Sequence, residues 1–206
     1  MSASTSRPEL FPQSDRWTFL WIIVFAVVLA CGVVVDAVLR LSQIIPNSEV
    51  PITVRLSGEV ATLPLGPGSS GVDVSVDRAI LSLSGLPPAP YSALIAEVSI
   101  HALSLLGALA CAAFVVLNLA RGRAFTRDNT VLLVVMAGAI GLDLVAGSFL
   151  RSYITAAATA QISDGAYVAP NEPMDFLKLF LFFGLGAVAR AFAVGERLQR
   201  DTEGLV

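Results

Sequence analysis

Long apolar runs alternate with polar punctuation along this chain, and the pattern predicts four membrane-spanning helices. The runs cover residues 17–39, 92–120, 131–150 and 174–194. About 20 residues rising 1.5 Å each cross a hydrocarbon core of about 30 Å, so each run is long enough to span. Trp17 and Trp21 suit the interface at the start of the first. Ser92 is expected to cap the second helix and Thr126 the third, with Asp128 in its first turn; Pro173 is expected to open the fourth. Residues 156–160 contain no helix breaker, so the third helix is expected to continue past its span. Gly107, Ala108, Cys111 and Ala112, and later Ala137, Gly138 and Gly141, are small enough to let helices approach closely.

Residues 40–91 have a different period. Ile52, Val54 and Leu56 alternate with Thr53, Arg55 and Ser57; Val72, Val74 and Val76 with Asp73, Ser75 and Asp77; Leu81 and Leu83 with Ser82 and Ser84. Period two with one apolar face is the signature of half-buried antiparallel strands. Leu65–Gly71 reads as a connection between strands. Three or four short strands alone would be marginal, so their apolar side is expected on the helix ends. The expected fold is therefore an all-α membrane bundle of four transmembrane helices, with a small extracytoplasmic β-rich cap between helices 1 and 2. Residues 1–16 form a polar tail without fixed structure, 121–130 a basic loop, 151–173 a second extracytoplasmic segment and 195–206 a C-terminal tail.

Composition agrees with the pattern. The chain is 55% hydrophobic and 14% charged, against about 25% charge in soluble domains. A net charge of −3, with no basic tract, argues against direct nucleic-acid binding. Cys31 and Cys111 both lie in apolar runs, so no disulfide framework is expected. The stretch Val28-Leu29-Ala30-Cys31 stays apolar through Val35, unlike a lipoprotein signal.

Orientation follows from the arginines. The two tails and the central loop carry Arg7, Arg16, Arg121, Arg123, Arg127, Arg197 and Arg200; the opposite loops hold Arg40, Arg55, Arg78 and Arg151 over a longer stretch. Basic density places both termini in the cytoplasm. Asp36, Glu97, His101, Asp143 and Lys178 then fall in the outer half of the four helices and form a candidate intramembrane polar cluster. A charge at the bilayer centre costs about 2.5–3.5 kcal/mol on insertion scales, so such groups pair, face inward or reach water. Asp143 lies deepest, and its expected partner is Lys178 or His101. The plainer alternative is structural: Asp36, Glu97 and Lys178 reach the interface, and Asp143 makes one interhelical hydrogen bond. Asp73 and Asp77 share a strand face, which is read as solvated.

The chain has no G-x-S-x-G, H-E-x-x-H, Walker or G-x-G-x-x-G sequence, and one histidine with two separated cysteines does not make a zinc site. Gly141-Leu142-Asp143 lacks a glycine of the intramembrane aspartyl protease motif, and Asp36 lies too near the surface to serve as its second carboxylate. A protein that is not an enzyme, with no cofactor and no metal, is expected.

Arg121-Gly-Arg-Ala-Phe-Thr-Arg-Asp-Asn129 resembles the Gly-x-x-Phe-Thr-x-x-Asn element after the second helix of the DUF2975 family of bacterial multi-pass membrane proteins. Residues 187–206 are similar to the C-terminal end of its actinobacterial members. The resemblance implies the bacterial cytoplasmic membrane and one domain over nearly the whole chain. It also implies a link to a small Cro/CI-type helix-turn-helix regulator encoded nearby, but no activity and no catalytic residues. Arg121, Arg123, Arg127, Arg197 and Arg200 would then form a cytoplasmic docking face, or simply set topology and meet anionic lipid. Two functions follow as expectations: a membrane sensor or anchor for such a regulator, or a small transporter or channel component built on the polar cluster. The lipid bilayer is the expected partner in either case; the oligomeric state stays open.

Overall fold

The computed structural model describes residues 13–64, 70–163, 167, 170 and 173–203. Helix α1 spans Gln13–Ile44, strands β1 Val50–Leu63 and β2 Val72–Leu83, and α2 Pro88–Ala120. Helix α3, Arg127–Leu142, passes through a π-helical turn at Asp143–Gly147 into α4, Ser148–Ser163; α5 spans Phe176–Glu203. Among the described residues four helical stretches are long and apolar enough to cross a membrane: Leu20–Ile44, Pro88–Ala120, Arg127–Ser163 and Phe176–Thr202. The most apolar window of α1 has no buried residue, and Phe25, Val28, Val35 and Leu39 stand exposed along it. Water would not tolerate that surface, and lipid would.

The four runs are all helical, with differences at their ends. Helix α2 begins at Pro88, inside whose first turn a missing N–H costs nothing. Ser92 is thus already helical: its hydroxyl donates back to Ala89 O at 2.9 Å and caps nothing. Thr126 does precede α3, with Asp128 in its first turn. Pro173 stands three residues before α5. Residues 13–16 of the expected tail are helical, and α5 continues through the expected C-terminal tail to Glu203. The rest of the N-terminal tail, residues 65–69 of the strand connection and most of 164–172 lie outside the described residues. The third run and residues 151–163 form one helical stretch, as the lack of a breaker implied.

The chain divides into two compact units. The sheet unit comprises residues 35–102 and 142–175; the turn unit comprises 1–34, 103–141 and 176–206.

In the sheet unit, β1 and β2 pair antiparallel, Val50 with Leu83 and Leu63 with Val72. The alternating runs at 72–76 and 81–83 belong to one strand. The register breaks on the partner instead, between Arg55 and Glu59, with Gly58 at φ +66°. Gly58 takes the left-handed region there, which glycine enters without a Cβ clash. Val50, Ile52 and Val54 are buried with Ile44, Leu86, Leu94, Val98 and Ile154. The apolar strand face thus lies on helices α1, α2 and α4, as its alternation required. Asn47, itself at φ +49°, closes the base of the hairpin. Its Oδ1 accepts from Leu86 N at 3.0 Å and its Nδ2 donates to Leu86 O at 3.2 Å.

In the turn unit, Val115, Leu133 and Ala189 form a core flanked by Leu119, Met136, Leu185 and Phe192. The small residues divide by role. A Cβ on Gly141 would come within 2.9 Å of the Phe182 ring, so this glycine admits the ring; Gly107 and Gly138 face open space. Ala108, Cys111 and Ala137 are buried. Both cysteines are free thiols.

Candidate functional site

Two helices of the sheet unit bring four ionisable side chains together. On α2, Glu97 and His101 are one turn apart and share a face. Opposite them stand Asp143, first residue of the π turn, and Arg151, on α4. His101 Nδ1 lies 3.2 and 3.1 Å from the two carboxylate oxygens of Asp143. Arg151 Nη1 donates to Glu97 Oε1 at 2.9 Å. The Asp143 side chain is 3% exposed and that of His101 31%; Glu97 is 12% and Arg151 33% exposed. The acids are covered, while the bases keep an edge open.

The π turn sets this geometry. Eight residues of regular α-helix advance about 80° beyond whole turns, which would swing Arg151 off the face of Asp143. A turn closed by i→i+5 bonding advances less per residue and takes much of that offset back. Gly147 supplies the room between them. A Cβ there would lie 3.1 Å from Asp143 Oδ1 and 3.5 Å from both terminal nitrogens of Arg151. Asp143, Gly147 and Arg151 therefore line one side, and His101 and Glu97 the other.

The arrangement forms two rungs between α2 and the α3–α4 stretch. With neutral imidazole, Nδ1–H donates to the Asp143 carboxylate and the quartet carries a formal charge of −1. With imidazolium it carries none.

Of the expected cluster, the structure joins Glu97, His101 and Asp143 in one quartet. Asp36 stands apart from it, paired with Arg40 at 3.0 Å and 58% exposed, because one turn along α1 offers a cation in easy reach. Lys178 is half-buried in the first turn of α5 and belongs to the turn unit. Arg151, counted in the sequence only as an outer-loop arginine, is the fourth member. Spacing in the sequence did not signal it, because eight residues of regular helix would turn it off the face of Asp143 and only the π turn restores that face. Asp73 accepts from Thr62 Oγ1 at 2.7 Å and is exposed, as a solvated strand face requires. Among the described residues no cluster of three metal-ligating side chains occurs.

The basic turn is built differently. Asn129 is fully buried. Its Nδ2 donates to Arg123 O at 2.7 Å and Ala124 O at 2.8 Å, and its Oδ1 accepts from Asn118 Nδ2 at 2.7 Å. Gly122, at φ +73°, lets the chain leave α2. Phe125 seats against α5: its ring centroid is 5.5 Å from that of Phe192, and any Cβ on Gly195 would collide with it. So Phe125, Asn129 and Gly195 hold the loop, while Arg121, Arg123, Arg127, Arg197 and Arg200 are all exposed. Arg200 also donates to Glu196 at 2.7 Å.

No family model, curated protein or solved structure matches this chain.

Proposed function

We propose that this chain is a non-enzymatic multi-pass protein of the bacterial cytoplasmic membrane that senses conditions on its extracytoplasmic side through the quartet and reports them to a soluble regulator. The carrying observation is the pair His101–Asp143, closed at 3.1 Å inside a candidate span and set at a π-helical turn. Polar groups at that position cost insertion energy that an apolar pair would not, which favours a use for them beyond holding helices. π turns recur at functional positions for the same reason: they sacrifice regular bonding to aim side chains.

The output side of the reading is the arginine face of the turn unit, placed in the cytoplasm by the distribution of basic residues. Glu97, His101 and Asn118 belong to one unbroken helix, α2, which gives a shift at the quartet a covalent route to the basic turn. The resemblance of residues 121–129 to DUF2975 supports the same reading. Phe125 and Asn129, two residues that carry the resemblance, also hold the turn, so a physical reason exists for them to recur together. A Cro/CI-type regulator is the partner that resemblance implies.

The test is co-purification from bacterial membranes with a candidate Cro/CI-type helix-turn-helix regulator. Capture by the wild type, loss on changing the five arginines to Ser, and altered regulator output on Asp143→Asn would support the proposal. Proton or ion flux in liposomes, abolished by Asp143→Asn and without any captured partner, would replace it with the transport reading.

A further inference from the structure

Beside the quartet, at the margin of the hairpin, lies a cleft of about 260 Å³. Arg40 from α1, Arg78 from β2 and Arg151 from α4 line it, with Glu97, Thr53 and Thr155. A neighbouring recess of about 250 Å³ shares Arg40, Thr53 and Glu97 and extends to Ile80. Three arginines thus line a cleft whose lining offers one carboxylate, and Glu97 already accepts from Arg151. Arg40 holds Asp36 only through an exposed i, i+4 contact, which a competing anion in a better geometry would displace.

The hairpin supplies a second, independent observation. Arg78 lies directly across from Arg55 in the strand ladder. Like charges in that position repel. Among the described residues neither has a carboxylate partner. Asp77, the adjacent acid, projects from the opposite strand face, because successive side chains alternate. Arg78, set against Arg55 in the ladder and lining the cleft with Arg40 and Arg151, is placed to take an anion.

We propose that this cleft binds a phosphate-ester anion, held by the guanidinium groups of Arg40, Arg78 and Arg151. Guanidinium forks suit phosphate oxygens, and the threonine hydroxyls add neutral donors. The surroundings favour the headgroup of an anionic phospholipid as its source. Arg40 stands one turn from the end of a candidate span, and Val35, Val38 and Leu39 are exposed on the same helix, where acyl chains would lie. Ile80, 70% exposed beside the recess, adds an apolar contact at headgroup depth. This inference needs only that the helices cross a bilayer; it does not depend on the quartet acting as a sensor.

The experiment uses the full chain in neutral detergent, with bound phosphatidylglycerol counted by native mass spectrometry against phosphatidylcholine. The Arg40→Gln/Arg78→Gln variant leaves the quartet intact. It should bind phosphatidylglycerol roughly tenfold more weakly, the scale of a lost charge-assisted contact, while Arg40→Lys/Arg78→Lys keeps most of the affinity and controls for folding. Free glycerol phosphate distinguishes the source: arginine-dependent binding of it, with no preference between the two lipids, retains the phosphate site and assigns it to a soluble ester. Equal retention of both lipids and of glycerol phosphate by the wild type and the Gln variant overturns the proposal.

Discussion

The two ends of helix α2 bury polarity in opposite ways. Around Glu97 and His101 the interior holds ionisable groups paired across helices. Around Asn118 the interior holds neutral amides, and the charges stand outside. Asn129 satisfies two backbone carbonyls of the loop it closes, so its value is local and structural: without it those part-buried carbonyls lose their partner. Within the quartet each hydrogen bond runs from side chain to side chain, and a well-packed apolar replacement of a buried ion pair is often neutral or stabilising. Polarity that the fold needs and polarity that the fold merely accommodates can thus be told apart by what each hydrogen bond satisfies.

The sharpest way to break this comparison is Asn129→Leu. It strips partners from Arg123 O, Ala124 O and the Asn118 amide, and each buried orphan costs about 1–3 kcal/mol. Loss of roughly 3–5 kcal/mol is expected in thermal unfolding of the detergent-purified chain; a loss below about 1 kcal/mol would mean the amide cluster is not holding the turn.

Next in size is Asp143→Leu, expected to cost about 2–4 kcal/mol by leaving its polar neighbours without the carboxylate. Adding His101→Leu should recover part of that cost, a coupling measurable by a double-mutant cycle, while regulator output stays lost. If the double variant is no more stable than Asp143→Leu alone, the pair holds the fold and the contrast fails.

Gly147→Ala is subtler. Its methyl would press on Asp143 Oδ1 and crowd Arg151, with an expected cost of about 1–2 kcal/mol. The decisive readout is output, which should fall although no polar group has been removed. Smallest of all, changing Arg121, Arg123, Arg127, Arg197 and Arg200 to Ser should leave stability within about 0.5 kcal/mol, since exposed charges contribute little. A drop in melting temperature of several degrees would show that these arginines hold the turn as Asn129 does.

Much of the architecture is legible in the sequence. Four apolar runs must be helices, because a lipid-exposed backbone has to satisfy its own hydrogen bonds. The period-two stretch had to be strand, and its apolar face had to find the helix ends. The polar members Glu97, His101 and Asp143 stood out because ionisable residues are rare in such runs. That His101 meets Asp143 was not legible, nor was the place of Arg151. Both depend on helical phase across contacts separated by 42 and 54 residues. A π turn changes that phase, and nothing in Asp143-Leu-Val-Ala-Gly147 announces one. Asn129 was visible as part of a motif, but the carbonyls it serves come from a loop whose path only the fold defines.

Sequence alone determined which segments are helix, strand and turn, since the solvent each segment demands is written in its own hydrophobic period. Tertiary structure decided which charges meet, because a side chain's direction depends on every turn between it and its partner. Here one widened turn with a glycine at its end brings Asp143 to His101 and leaves room for Arg151 to reach Glu97.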